Sequence, residues 1–267
     1  MIRVVHTLGG CGGTLLSRCL AVLPGAALLS EINPASVKLY KHFCPLYQDL
    51  NWLHVLDEAE HARFSAVDLG DSDQFCALIQ TFHSRAKASG RHLILRDFNY
   101  IEFVGLPFNQ TPPRRLTIYD SLPQDIPTKA VAFIRHPIDQ WVSLCKHVEL
   151  LPLDPVHFCD SYAEFLKGLG SIPIYKYEDF VEAPHKQMQA ICSDLDLPFD
   201  SSCFDRFCDY ASLTGDLTRV GEKSISLPKR TQVASETLES FRSSRSYQNI
   251  LDETGYPNLL EELVSMQ

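Results

Sequence analysis

The first twenty residues constrain this chain more than any other stretch. Residues 2–8, Ile-Arg-Val-Val-His-Thr-Leu, are mostly β-branched and apolar and run directly into Gly9-Gly10-Cys11-Gly12-Gly13, the pattern of a strand ending in a tight turn. From Thr14 onward, apolar residues at 15, 16, 19, 20 and 23 follow the i, i+3, i+4 rhythm of a helix, which Pro24-Gly25 ends. A strand, a glycine loop and a helix in that order commit the chain to an α/β layout, because the helix must bury its apolar stripe against the sheet that holds the strand.

The alternation continues. A short strand over 26–29 delivers Ser30-Glu31-Ile32-Asn33-Pro34 at its carboxyl end, and residues 35–66 are irregular and aromatic-rich. A helix over 72–89 breaks at Gly90, and strands follow at 92–97 and 129–135. His136-Pro137 ends the latter and opens a helix to about 147, since proline suits a first helical turn. A helix near 155–168, a strand at 172–177 and a helix at 178–195 complete the series. Repeated strand-helix units predict a parallel, doubly wound sheet flanked by helices, with ligands beyond the carboxyl ends of its strands. The length of 267 residues suits a single domain, 1–267.

Composition removes several classes of function. With 24 Lys+Arg against 33 Asp+Glu, the formal net charge is −9, so nucleic acid and anionic membranes are repelled as partners, while a local basic pocket for a small anion is allowed. The chain has no apolar run of about 18 residues and no small-residue cleavage site after Met1-Ile2-Arg3, which predicts a cytoplasmic protein with no membrane span. Nine cysteines without a Cys-x-x-Cys pair argue against a disulfide framework or a zinc site and for buried thiols.

Two constellations carry chemistry. Successive N–H groups in a glycine turn before a helix N-terminus cradle phosphate or sulfate oxygens. The loop is neither a complete ATPase/GTPase loop, which needs Lys before Thr14, nor a dinucleotide fingerprint, which needs Gly where Leu15 stands. A tight turn without a ligand is the alternative. The second constellation is Phe133-Ile-Arg135-His136-Pro137-Ile-Asp139-Gln-Trp-Val-Ser143. An arginine at a strand's end and a serine two turns into the next helix can converge on one anion; pairing of Arg135 with a surface carboxylate is the alternative.

Together the two segments resemble the PAPS-dependent sulfotransferase superfamily, over about 1–33 and 90–195. Gly9-Gly10-Cys11-Gly12-Gly13-Thr14-Leu15 falls on the family's 5′-phosphosulfate loop, Arg135 and Ser143 fall on its 3′-phosphate contacts, and Tyr177-Glu178-Asp179 is similar to a later family motif. The resemblance implies PAPS as donor, PAP as product and no metal. Loop residues Gly10, Cys11, Gly12, Gly13, Thr14 and Leu15, with Arg135, Ser143, Arg219 and Lys223, would bind the nucleotide; Lys229 and Arg230 belong to the same basic tail.

Glu31 resembles the base of the branch acting on carbohydrates and tyrosyl residues, where a carboxylate takes the acceptor's proton; a helix cap or a ribose contact are the alternatives. Gly10 stands where the family usually has Lys or Arg, and Arg96, ending Leu-Ile-Leu-Arg, is the expected substitute, ahead of His6 and Arg18. The function implied is sulfuryl transfer to a hydroxyl, with an amine as second choice, of a small-molecule or sugar acceptor. That acceptor is neutral or cationic, because segments 35–89 and 98–125 on the acceptor side are aromatic and backed by acids, while 200–267 forms a helical tail with a basic loop. A PAP-binding module without turnover and an ATP-dependent small-molecule kinase are the competing readings.

Overall fold

A computed structural model describes residues 1–147, 153–210, 214 and 224–265. Its frame is five strands, β1 (Ile2–Thr7), β2 (Ala26–Ile32), β3 (His92–Phe98), β4 (Thr128–Ile134) and β5 (Ile174–Lys176), hydrogen-bonded in the order β2-β3-β1-β4-β5. Every pairing is parallel, so the sheet is the doubly wound α/β type that the alternation predicts. Val5 lies opposite Arg96 on one side and Val131 on the other. The winding therefore reverses at β1, and the crevice beyond its carboxyl end is where such sheets receive ligands. The glycine loop occupies that point and leads into α1 (Gly13–Ala21).

Successive β1 residues feed opposite layers, as the two-residue period of a strand requires. Val4 packs with Leu29, Leu95, Phe75 and Phe82, the last two from α2 (Ser72–Ala88). Val5 packs with Leu16, Leu20, Phe133 and Ile191 on the other face. With both faces covered, β1 is buried along its whole length, its polar residues Arg3, His6 and Thr7 included. A third cluster joins α3 (Pro137–His147) and α4 (Pro155–Leu169) to the terminal helices Ser235–Ser243, Arg245–Thr254 and Leu260–Ser265. All nine cysteines are free thiols. No helix among the described residues is long and apolar enough to cross a membrane.

Three boundaries differ from the sequence reading. The helix expected over 178–195 is two, Tyr177–Glu182 and Pro184–Leu195. Pro184 opens the second, and Ala183 leaves helical angles (φ −133°, ψ 63°) because the proline ring crowds the residue before it. The strand at 172–177 shortens to Ile174–Lys176. The strand at 26–29 extends to Ile32, with its pairing to β3 irregular between Leu29 and Ile32. Glu31 sits in that irregularity at φ 54°, a left-handed conformation that costs a side-chain-bearing residue energy and recurs at functional sites.

Candidate active site

The loop's conformation requires its glycines. Gly9, Gly10 and Gly12 have φ of 88°, 67° and 86°, and a Cβ on Gly12 would strike the Tyr177 ring. At Gly10 a Cβ would lie 2.8 Å from the Gln140 carbonyl and 2.9 Å from Leu144 Cγ. Atoms of α3 thus fill the space that a loop lysine would need. Gln140 also ties the loop to β4, since its Nε2 donates to the Gly9 carbonyl (2.7 Å) and its Oε1 accepts from the Arg135 N–H (3.2 Å). The Cys11 side chain is turned into the core with Leu16 and Phe133, where burial pushes its thiol pKa up. Cys11 is also not among the residues lining the cavity beyond the loop. No side chain caps α1 at Gly12, and helix N-termini of this kind are suited to hold anions.

Beyond the loop opens a cavity of about 630 Å³, within the usual range for small-molecule sites. Gly10, Gly12, Gly13, Thr14, Leu15, Glu31, Arg96, Arg135 and Ser143 all line it, so the tertiary structure brings together residues spread over more than 130 positions. Arg135 stands just past β4, its guanidinium over the Tyr177 ring at 4.9 Å, and its Nε is buried without a hydrogen-bond partner. Lys229 and Arg230 also line the cavity, Arg230 through pairs with Asp139 (3.4 Å) and Glu262 (2.6 Å). Arg219 and Lys223 lie outside the described residues. The lining carries six lysines and arginines against two carboxylates, Glu31 and Asp139, a local reversal of the chain's negative charge.

Arg96 and Glu31 meet across β3 and β2. Arg96 Nη2 bonds Glu31 Oε1 at 3.0 Å, and the same guanidinium donates to Thr7 Oγ1 (3.3 Å), Thr14 Oγ1 and Ser30 Oγ (both 3.4 Å). Both partners are buried, Arg96 at 3% and Glu31 at 7% exposure. The Arg96 Nη2 would lie 3.1 Å from a Cβ on Gly13, so a cation abuts the loop although the loop itself holds none. No described residue hydrogen-bonds Glu31 Oε2.

His6, the weaker substitute cation, does not line the cavity. It belongs to a buried polar network behind it, where Nδ1–H donates to Asn99 Oδ1 (3.3 Å) and lies 3.3 Å from Asp97 Oδ2, and Nε2 accepts from the Tyr119 hydroxyl (2.8 Å). Asn33 and Asn99 each donate through Nδ2 to both Asp97 and Glu102. Thr117 adds its N–H (2.6 Å) and hydroxyl (2.5 Å) to Glu102. Burial, with Asp97 close by, pushes the Glu102 pKa up to about 8. On the other flank His136 accepts from the Ile138 N–H and donates to the Pro257 carbonyl, and burial pushes its pKa down to about 4.

A second arm of the cavity is aromatic, with His42, Phe43, Phe98, Tyr100 and Phe108. Phe43 and Phe98 centroids are 4.8 Å apart, and Phe98 and Tyr100 stack at 6.1 Å. These residues come from the segments 35–89 and 98–125, where composition shows aromatic content but no periodicity that singles out individual rings. The sequence reading also missed Gln140 as a tie. Arg18, only a weaker choice there, shares a helix face with Thr14 by its i, i+4 spacing, a signal that was available.

No protein-family model matches the chain, and no curated protein matches its sequence significantly. Solved structures match its fold over nearly the whole length. The sulfotransferase domain of the olefin synthase of Synechococcus PCC 7002 superposes at TM-score 0.58 with 19% identity, covering 96% of this chain and 95% of that one. The sulfotransferase domain from the curacin biosynthetic pathway superposes at 0.49 with 16% identity, covering 96% and 98%. A mouse sulfotransferase complexed with PAP does so at 0.41 with 13%, covering 100% and 88%. The olefin synthase domain carries the assignment: this chain has the sulfotransferase fold. The likeness is one of fold, so the chemistry rests on the residues of the cavity.

Proposed function

We propose that the protein is a sulfotransferase that moves a sulfuryl group from PAPS to a hydroxyl, or as second choice an amine, of a small-molecule or sugar acceptor, releasing PAP. One observation carries the reading. At the switch point of the sheet, a cation-lined cavity joins an uncapped helix N-terminus to Arg135, whose buried Nε has no partner among the described residues. A buried guanidinium nitrogen without an acceptor is costly unless a ligand supplies one, and a nucleotide with phosphates at both its 3′ and 5′ positions has anionic groups for both features.

The donor supplies an electrophilic sulfur on a phosphate leaving group. The N–H groups of Gly10 to Thr14 would hold the 5′ end, and Arg135 with the Ser143 hydroxyl the 3′-phosphate. Glu31 would take the acceptor's proton through Oε2 as the acceptor oxygen bonds to sulfur and the bridging S–O bond breaks. Arg96, bonded to Glu31 and beside Thr14, would stabilise charge on the departing oxygen; one such preorganised donor is worth roughly 10²–10³ in rate. The aromatic arm would receive the acceptor.

Thermal shift with PAP, PAPS, ATP plus Mg²⁺ and NAD tests the reading, since a ligand at about 100 times its Kd adds about 2.7 kcal/mol to the native state. Stabilisation by PAP and PAPS is expected. A response to ATP alone would replace the reading with a kinase, and silence to both sulfonucleotides would overturn it. Glu31→Gln should keep PAP affinity and lose about 10²–10⁴ in turnover; PAP binding by the wild type with no turnover on a broad acceptor panel would favour the non-catalytic module.

A further inference from the structure

We infer that Arg18 is a donor-binding residue: it supplies, from the second turn of α1, the cation that the glycine loop lacks, and contacts the anionic 5′ end of the nucleotide. The inference rests on the donor reading above but on a different observation. Arg18 is only 5% exposed, lines the cavity, and neither its Nε nor its Nη2 has a hydrogen-bond partner among the described residues. It forms no ion pair with any described residue. The other arginine buried in this wall, Arg96, has its guanidinium bonded to Glu31, Thr7, Thr14 and Ser30.

Placement decides which ligand group is involved. Arg18 is one turn beyond Thr14 on α1, and helical side chains lean back toward the helix N-terminus, over the residue four positions earlier. Arg18 therefore leans toward the end of α1 at which the loop N–H groups lie. It approaches from the helix side, whereas a cation carried on Gly10 would meet the Gln140 carbonyl and Leu144 of α3. Burying an unpaired guanidinium is unfavourable, and one kept in the wall of a cavity that a glycine loop also lines is matched to an oxyanion. The chemical class is a phosphate or sulfate ester oxygen.

The test compares wild type with Arg18→Met and Arg18→Lys. Calorimetric titration with PAP and PAPS should show Arg18→Met binding about 10–100-fold more weakly, the range for a lost charge-assisted hydrogen bond, with Arg18→Lys in between. A loss for both nucleotides points to the 5′-phosphate, and a loss for PAPS alone to the sulfuryl group; either supports the inference. The ligand-free melting temperature of Arg18→Met should stay level or rise, because an apolar side chain replaces an unpaired buried charge. Unchanged affinity for both nucleotides, or a lowered ligand-free melting temperature with affinity retained, overturns the inference. Should the wild type bind neither nucleotide, the donor reading fails, and pyrophosphate decides Arg18 by itself: protection lost in Arg18→Met keeps an oxyanion contact there, and equal protection removes it.

Discussion

Two groups of buried polar residues lie near the glycine loop, one at the ends of β1, β2 and β3 and the other on α1 and past β4, and they differ in one respect. In the network behind the cavity, His6, Asn33, Asp97, Asn99 and Glu102 answer one another, donor against acceptor. In the cavity wall, Arg18 and Arg135 present buried nitrogens that no described residue answers. The first group is closed and the second is open. A closed network specifies and stiffens structure, whereas buried donors left without an acceptor are costly unless one is supplied. The contrast separates residues that hold the site from residues proposed to bind the donor.

The largest expected effect lies in the closed group. Asn99→Leu removes one side chain that serves Asp97, Glu102, His6 and the Thr7 N–H, and stranding such groups should cost about 3–5 kcal/mol, read as a fall of roughly 10 °C in melting temperature. The molecules that remain folded should bind PAP as the wild type does; weak PAP binding with normal stability would erase the distinction between the two groups.

The open group should respond the other way. Arg135→Met should leave the ligand-free melting temperature within a degree or two and weaken PAP about 10–100-fold, measured by calorimetry. A matching loss of stability would make Arg135 a structural residue.

The smallest effect is one of pH. Glu102 is raised from 4.5 to about 8, so the folded state holds a proton that the unfolded state releases, and its stabilising contribution is full below pH 4.5 and lost as pH rises through 8. His136 is lowered from 6.5 to about 4, so its contribution is present above pH 6.5 and lost as pH falls through 4. The two slopes oppose each other between pH 4.5 and 6.5, and above 6.5 only the Glu102 loss remains, about 1–2 kcal/mol by pH 8. Denaturant titrations across pH should show that decline, and Glu102→Gln should flatten it. A wild-type curve that stays level from pH 6.5 to 8 would place no proton on Glu102.

Much of the frame was legible in the sequence. The opening strand, loop and helix, the strand ahead of Arg135 and the helix after Pro137 all appear where hydrophobic period and proline position put them. The split at Ala183-Pro184 was also written locally, in a proline that interrupts a helical period. The extension of β2 through Glu31 was not, because a bulge is settled by pairing with β3 and leaves no mark on one strand's period. The candidate site was legible as types of residue rather than as an arrangement. Glu31 and Arg96 are 65 positions apart, and nothing local says that they touch.

Sequence alone determined the α/β alternation, the glycines that the loop's left-handed angles demand and the absence of a loop lysine, since each follows from local sterics or from a residue's own chemistry. The tertiary structure decided which cations are occupied and which are free. Arg96 and Arg18 are both buried arginines, yet one is neutralised by Glu31 and the other lines the cavity without an ion pair to any described residue, because strand order and helix packing, rather than sequence separation, set the distances over which charges act.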